Sequence, residues 1–549
     1  MSDKKLANFF KPAYRKILLV ALVAAFFSYI NVVRGPFVWD DEVAGYTQGR
    51  AYGWLILKNF WQVFDNNSQS FGSFEIGATY RPVIVIFMGL KSLLFGNNPA
   101  LFHLSNILNH LAVSLIIYLT AKEILSWWFS QKKVKLMASL AGAIFLLHPA
   151  QTESVSYISS QDTLLGGLFF FSGLYFILKF LRQTNYFHLI LSVILILLAT
   201  FTRESSLILP LILGLTFVCQ PNFRLKILKI LPIFTGIVLI FIYYAFIYIP
   251  AGTTVGYGQT LLSLEARLNL IQRLANLPLV ILAYLKILLL PLGLHMEYHF
   301  WLGQLAWSLI ILTILAFLGL IVAAIYLSWQ RPWLKFFLLW LVLALSPFYQ
   351  IIKIDATIAE RWLYLPMFGF ASLMAVILYQ IYLKISKTSR PYYYQLIAFL
   401  FVLFMIRVII RNEQWANPLK LYQHDAKLSS NSFVLQNNVG VELFKQKRLA
   451  EAGQYFKKAL EIEPNYAVAR NNYGVSLQNE GKIREAEEEY LLAIKLNNYY
   501  LAYANVANIY LKLGQTERAK KIVAEGLKFY PQDQQLNIFD SYLKQEAKH

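Results

Sequence analysis

The chain reads as an all-α protein in two parts: a polytopic membrane helical bundle of about eleven spans, followed by an α-solenoid of paired helices. Three observations predict this. Of 549 residues, 57% are hydrophobic and only 15% charged, far from a soluble globular average. Up to about residue 411 the sequence consists of apolar runs joined by short polar links. From Asn412 onward it is charged and helical, has no apolar run of the ~20 residues needed to cross a bilayer, and repeats small residues at a fixed period.

Taken in order, candidate spans lie near 17–33, 101–124, 136–148, 164–181, 186–202, 206–219, 230–249, 306–327, 335–350, 362–383 and 394–411. Basic links at Lys132-Lys133-Lys135, Lys179/Arg182, Arg224/Lys226/Lys229, Arg331/Lys335 and Lys384/Lys387/Arg390 alternate with acidic or neutral ones. The positive-inside rule keeps the basic links and the Lys-rich N-terminus cytoplasmic. It places 34–80, 148–162, Arg203-Glu204, 250–304, 350–361 and the C-terminal part outside. Residues 82–96 and 274–292 are apolar but spoil the count, and are expected to lie along or dip into the outer interface. The first apolar run has no convincing small-residue cleavage site and is read as a retained helix.

The net charge of +20 would suggest nucleic acid in a soluble protein. Here the basic residues sit in the links and no nucleic-acid-binding motif is visible, so no nucleic-acid partner is expected. The single Cys219 excludes an internal disulfide framework and a multi-cysteine metal site. No phosphate-cradling glycine loop, nucleophile elbow or HExxH pattern appears, which argues against a P-loop ATPase, a serine hydrolase or a zinc protease.

In the C-terminal part Gly440 and Gly474 are 34 apart, as are Ala452 and Ala486, Ala459 and Ala493, and Asn437, Asn471 and Asn505. This is the tetratricopeptide period. At least three repeats run from about 433 to 535. The expected division is 1–411 for the membrane domain, 412–432 for a connecting segment and 433–549 for the repeats.

The candidate chemistry lies in the outer links. Trp39-Asp40-Asp41-Glu42 follows the first span, and carboxylates beside a bilayer need a reason to be there. Asp40 or Asp41 suits a base that takes a hydroxyl proton as a new bond forms, whereas the bland reading is solvated acids. Arg81, in Thr79-Tyr80-Arg81-Pro82, either holds an anion or snorkels at the interface. His103, Asn106 and His110 form one helical stripe, ~10 Å between the histidines, too far to share a metal. They read as hydrogen-bonding glue between helices. His148, Glu153 and Asp162 lie in one outer link and can orient an acceptor or a donor's phosphate end; a plain polar loop fits them equally. Arg203-Glu204 interrupts an apolar stretch, and Glu360-Arg361 enters a late span from outside. Arg203-Glu204 is a functional site or a structural pair, and Glu360 and Arg361 either serve the site or pair with other loop residues. Arginine suits phosphate because it binds by two parallel hydrogen bonds.

Together these motifs resemble the transmembrane and tetratricopeptide repeat-containing O-mannosyltransferases and their bacterial relatives. The points of match are Asp40-Asp41, Tyr80-Arg81-Pro82, His103 to His110, His148-Pro149 with Thr152-Glu153, Asp162-Thr163-Leu164-Leu165, Arg203-Glu204, Glu360-Arg361 with Leu363-Tyr364-Leu365-Pro366, and Arg411-Asn412 with Trp415. The resemblance implies a C-type glycosyltransferase fold. It also implies transfer of mannose or a similar hexose, with inversion, from a polyprenyl-phosphate donor to a hydroxyl outside the cytoplasm, and a protein Ser/Thr acceptor presented through the repeats. Asp40 and Asp41 take the catalytic role. Arg203, Glu204, Arg361, Arg81, His148, Glu153, Asp162 and Tyr364 form the substrate-binding set. The repeat array is shorter than the family's, and Trp362 stands where tyrosine is expected.

Three alternatives stay open: a non-catalytic scaffold presenting repeats to partners, a transporter or channel, and a transferase acting on a lipid or glycan. A divalent metal is compatible with the acids, although spacing gives no ligand set. The short repeat array suggests a prokaryotic plasma membrane. The discriminating observation is whether Asp41, Arg203 and Arg361 converge on one cavity.

Overall fold

The computed structural model describes residues 13–43, 49–58, 70–71, 74–75, 81–219, 268–299, 303, 305–351, 356–531 and 533–546. It is helical almost throughout; the described strands are the antiparallel pair Ser70–Phe71 and Phe74–Glu75. The chain divides into two compact units, one reaching Asn417 and one starting at Pro418.

In the first unit the apolar runs become helices whose ends follow from local chemistry. Pro82–Phe95, Pro99–Leu125, Pro332–Leu345 and Pro366–Lys384 each begin on a proline, which fits the first turn because its missing N–H is not needed there. Asn98 and Asn185 cap the next helices by accepting the N–H of Ala100 and Phe187. Gln161–Gln183 ends on Thr184 in the left-handed region, and Tyr186–Thr202 then runs back along it.

Six described helices are long and apolar enough to cross a bilayer: Lys16–Arg34, Pro99–Leu125, Ile158–Gln183, Trp307–Ser328, Pro366–Lys384 and Lys387–Trp415. Gln131–Leu147 with Pro149–Ser156, bent by 55°, makes a seventh if counted as one span. The expectation of about eleven spans is thus only partly met among the described residues. The remaining apolar helices, including Tyr186–Thr202, Glu204–Cys219 and Pro332–Phe348, have 10–17 residues, which at ~1.5 Å each fall short of a ~30 Å hydrocarbon core. The segments 82–96 and 274–292 contain the short apolar helices Pro82–Phe95 and Leu277–Leu289. The candidate span at 230–249 lies outside the described residues.

The last helix of this unit, Arg390–Trp415, is locked by its polar end. Asn412 accepts from Ser156 Oγ at 2.6 Å and donates to the Ser28 carbonyl at 2.9 Å. Arg411, also buried, lies over the Trp415 ring at 5.6 Å.

The second unit is the predicted solenoid. Phe433–Lys445 pairs with Leu449–Ile462, Ala467–Asn479 with Ile483–Asn497, and Tyr500–Lys512 with Thr516–Phe529; Gln534–Glu546 follows. The 34-residue glycines have a packing reason. A Cβ on Gly440 would sit 2.5 Å from the Phe456 ring, and one on Gly474 would sit 2.6 Å from the Tyr490 ring. Each aromatic of the second helix therefore rests directly on the backbone of the first.

Candidate active site

The chain leaves its first helix at Gly35 and turns back at Trp39, so that Asp40 and Asp41 open a short helix, Asp40–Val43. The two aspartates, adjacent in sequence, face different surroundings. Asp41 is buried. Its Oδ2 accepts the Val38 N–H at 3.0 Å, and its Oδ1 accepts the Ser159 N–H at 2.7 Å and the Ser159 hydroxyl at 2.6 Å. Burial pushes its carboxyl up to about 7, against the pull of the Ser159 and Val38 hydrogen bonds. Asp40 is exposed and accepts the Tyr157 hydroxyl at 2.7 Å. Burial, and then the two aspartate charges, raise the Tyr157 phenol well above its usual range, so it keeps its proton and donates it.

Around this pair the link 148–162 is folded inward and almost wholly buried. Glu153 accepts the Arg361 backbone N–H at 2.9 Å and pairs with the Arg361 guanidinium. Asp162 accepts Arg203 at 2.7 Å and Arg81 at 2.7 Å. Arg81 reaches on to Glu204, its Nε donating at 2.7 Å. Arg203 also donates to the Thr163 hydroxyl. The reading of Arg203 and Glu204 as a structural pair with each other is corrected: they engage different partners, because Arg203 closes its helix in an extended conformation (φ −156°) and Glu204 starts a new turn. Glu360 and Arg361 each bond other loop residues, as their structural reading expects: Arg361 pairs with Glu153, and Glu360 accepts from Tyr298 at 2.6 Å and from the His295 N–H at 2.7 Å.

Arg203 and Arg361 line one small cavity, with Thr163, Ser206, Trp362 and Tyr364 among its walls. Trp362 is held by stacking on Phe348 at 4.7 Å and 6°. Tyr364 lies over Gly167, where a Cβ would come within 2.7 Å of its ring. The hydroxyl of Tyr364 meets His110 Nδ1 at 3.0 Å while His110 Nε2 meets the Leu146 carbonyl at 3.1 Å. A carbonyl only accepts, so Nε2 carries the proton and Tyr364 donates to Nδ1. Asn106 approaches the Val155 and Tyr157 carbonyls at 3.4 Å, so the polar stripe ties helix to link as expected.

The cavity thus unites Arg203, Arg361 and Tyr364, with Asp162, Glu153, Arg81 and Glu204 as the ion-pair partners behind its arginines. Asp41 does not line it. Asp40 does not line it either; it lies within electrostatic range of the Arg361 guanidinium, after Glu153 and Tyr157. His148 stands apart. Fully buried, it donates from Nε2 to the Leu288 carbonyl at 2.9 Å and accepts the Ala150 N–H at 3.2 Å. With both nitrogens engaged, it orders the link. Tyr80 and the Glu42 side chain lie outside the described residues. Sequence reasoning missed Tyr157 and Ser159, which hold the aspartates. The available signal was a run of polar residues, Ser154 to Gln161, beside apolar helices. It also left Lys91 unassigned; this buried amine donates to Gln161 at 2.7 Å. Among the described residues no three His, Cys, Asp or Glu side chains gather to hold a metal ion.

Tetratricopeptide repeat family models match residues 443–498 and 500–533. The chain is similar to Protein O-mannosyl-transferase F38B6.6 of Caenorhabditis elegans, 23% identical over 461 residues, covering 81% of this chain and 63% of that protein. It is 24% identical over 497 residues to Protein O-mannosyl-transferase TMTC3 of Homo sapiens, covering 81% and 51% respectively. Protein O-mannosyl-transferase TMTC1 of Mus musculus is 30% identical over 165 residues, covering 29% of this chain and 16% of that protein. This chain spans less than two thirds of the length of each of these relatives.

Proposed function

This chain is a homologue, across most of its length, of the transmembrane and tetratricopeptide repeat O-mannosyl-transferases, and from that premise we propose that it is an inverting glycosyltransferase. It moves mannose or a similar hexose from a polyprenyl-phosphate donor to a hydroxyl, with protein Ser/Thr presented through the repeats as the acceptor. The reaction takes place on the non-cytoplasmic side of a plasma membrane of prokaryotic type, with the N-terminus inside and the repeats outside. One observation carries the reading: two arginines far apart in sequence, Arg203 and Arg361, line a single cavity, and the exposed Asp40 lies within electrostatic reach of Arg361.

Arg203 and Arg361 hold the donor's phosphate, each pre-oriented by a carboxylate, Asp162 or Glu153. Asp40 is the base. It is exposed, whereas the Asp41 oxygens are filled by Val38 and Ser159. The acceptor oxygen attacks the anomeric carbon from the face opposite the phosphate, through an oxocarbenium-like state. Its proton passes to the Asp40 carboxylate, and the breaking C–O bond leaves its electron pair on the phosphate. Asp41 positions Asp40 by tying the first outer link to the second.

Transfer of labelled mannose from polyprenyl-phosphate mannose to a Ser/Thr peptide by the purified full-length protein tests this. Asp40→Asn should lower the rate by about 10²–10⁴-fold while leaving the melting temperature unchanged. Wild-type rates in both Asp40→Asn and Asp41→Asn would sink the assignment and favour the scaffold.

A further inference from the structure

Trp39 holds an unusual backbone conformation in the turn that the Asp41 N–H closes on the Val38 carbonyl at 3.1 Å. Its φ is +57°, in the left-handed region that bulky side chains avoid. The other non-glycine residues there lie at helix ends or in turns of their own. Thr184 and Asn498 terminate helices. Lys447 sits in the turn between Phe433–Lys445 and Leu449–Ile462. Gln350 reaches back to the Ala356 carbonyl at 2.8 Å. Trp39 terminates no helix, and strain of this kind persists only where the surroundings enforce it, most often at functional sites.

The surroundings are visible. Asp41, two residues on, clamps Val38 on one side and Ser159 on the other, which fixes the turn. The indole then rests on Tyr157, with ring centroids 6.5 Å apart at 32°. Tyr157 in turn stacks on the buried Trp415 at 5.5 Å and 24°. Trp39 is thus the half-buried end of a row of three rings, tilted against the stacked Tyr157–Trp415 pair that roots it in the core. An indole that merely anchored the chain at the membrane interface would need neither the strained backbone nor the stack.

Its position gives the stack a use. Trp39 precedes the exposed Asp40, whose carboxylate is held by the same Tyr157. The Arg361 side of the cavity lies within electrostatic reach of both Tyr157 and Asp40. In the transfer proposed above, the sugar lies between the phosphate at Arg361 and the base at Asp40, so an indole beside that base borders the sugar. A hexopyranose has a face of C–H groups and a polar rim, and an indole offers the matching apolar, electron-rich face.

We infer that Trp39 is the stacking wall of a hexopyranose subsite, built on the Tyr157–Trp415 pair and aimed at the sugar by its left-handed backbone. The inference rests on the glycosyl-transfer reading.

The test uses the full-length protein in lipid nanodiscs with two probes, polyprenyl phosphate and polyprenyl-phosphate mannose. Trp39→Ala should weaken binding of the sugar-bearing lipid by about tenfold and leave the bare lipid phosphate unchanged. Trp39→Phe, which keeps a ring, should lose less than about threefold. A melting temperature measured alongside shows that both variants are folded. Equal loss for the two lipids, no loss for either, or an effect confined to the KM of the peptide acceptor would overturn the subsite. Wild-type protein that binds neither lipid would overturn the transferase reading itself, and the subsite with it.

Discussion

The two units treat charge in opposite ways. In the membrane unit the arginine–carboxylate pairs join residues distant in sequence: Arg203 with Asp162 across 41 positions, Arg81 with Asp162 across 81 and with Glu204 across 123, and Arg361 with Glu153 across 208. Two of their carboxylates are shielded, the Glu153 side chain to 1% exposure and Asp162 to 8%, while Glu204 is 29% exposed. In the repeat unit most pairs are local and open, as in Lys445–Glu442, Arg448–Glu451, Lys520–Glu517 and Lys544–Asp540 at three or four positions. The exceptions, Arg470–Glu489 and Arg518–Glu487, bridge helices of that unit. Exposed local pairs contribute little. Buried long-range pairs are costly to form and still costlier to break, because the remaining partner is left uncompensated. A chain that keeps several of them around one cavity uses them for something other than stability.

Glu153→Gln should show the larger side of this contrast. It leaves the Arg361 guanidinium without its counter-charge and should cost about 3 kcal/mol or more, seen as a lower melting temperature of the solubilised protein, together with loss of transfer. An unchanged melting temperature would mean that Arg361 is hydrated rather than paired.

Asp41 gives an intermediate effect, readable through pH. Burial raises its folded-state value to about 7, above the ~3.9 of an unfolded chain. Between those values the folded protein holds a proton that the unfolded chain has released, so this residue's contribution to stability falls as pH rises from about 4 to about 7 and is level above. The slope is at most about 1.4 kcal/mol per pH unit. Asp41→Asn should flatten this part of the pH–stability curve. A slope identical to wild type would place the titration elsewhere.

Lys520→Ala, in the repeat unit, should do least. Its partner Glu517 is 86% exposed, and the melting temperature should stay within error of wild type. A fall comparable to that of Glu153→Gln would abolish the distinction between the units.

What the sequence revealed followed the range of the interaction. Helices such as Pro99–Leu125 and Tyr186–Thr202 were legible because an apolar run with a proline or asparagine at its start is a local signal. The repeats were legible because Gly440 and Gly474 recur at a fixed interval for a steric reason. Arg203 and Arg361 could be named from charge in an apolar setting, but their partners could not. Neighbouring Arg203 and Glu204 suggest a pair, and only the helix ending between them turns them apart. The division of Asp40 and Asp41 into an exposed and a buried carboxylate depends on Ser159, more than a hundred residues away, and no local pattern encodes that.

The carboxylates paired with the arginines have a kinetic consequence. Arg81, Arg203 and Arg361 are matched by Glu204, Asp162 and Glu153, so this cluster carries no net formal charge. Without a net field, an anionic head group gains nothing from long-range attraction and feels the guanidiniums only at contact. For the proposed lipid-linked donor, capture then depends on delivery within the plane of the bilayer and on short-range contact with arginines whose carboxylate partners stay in place. The rate of capture should therefore vary little with ionic strength, unlike that of sites that draw charged ligands from solution.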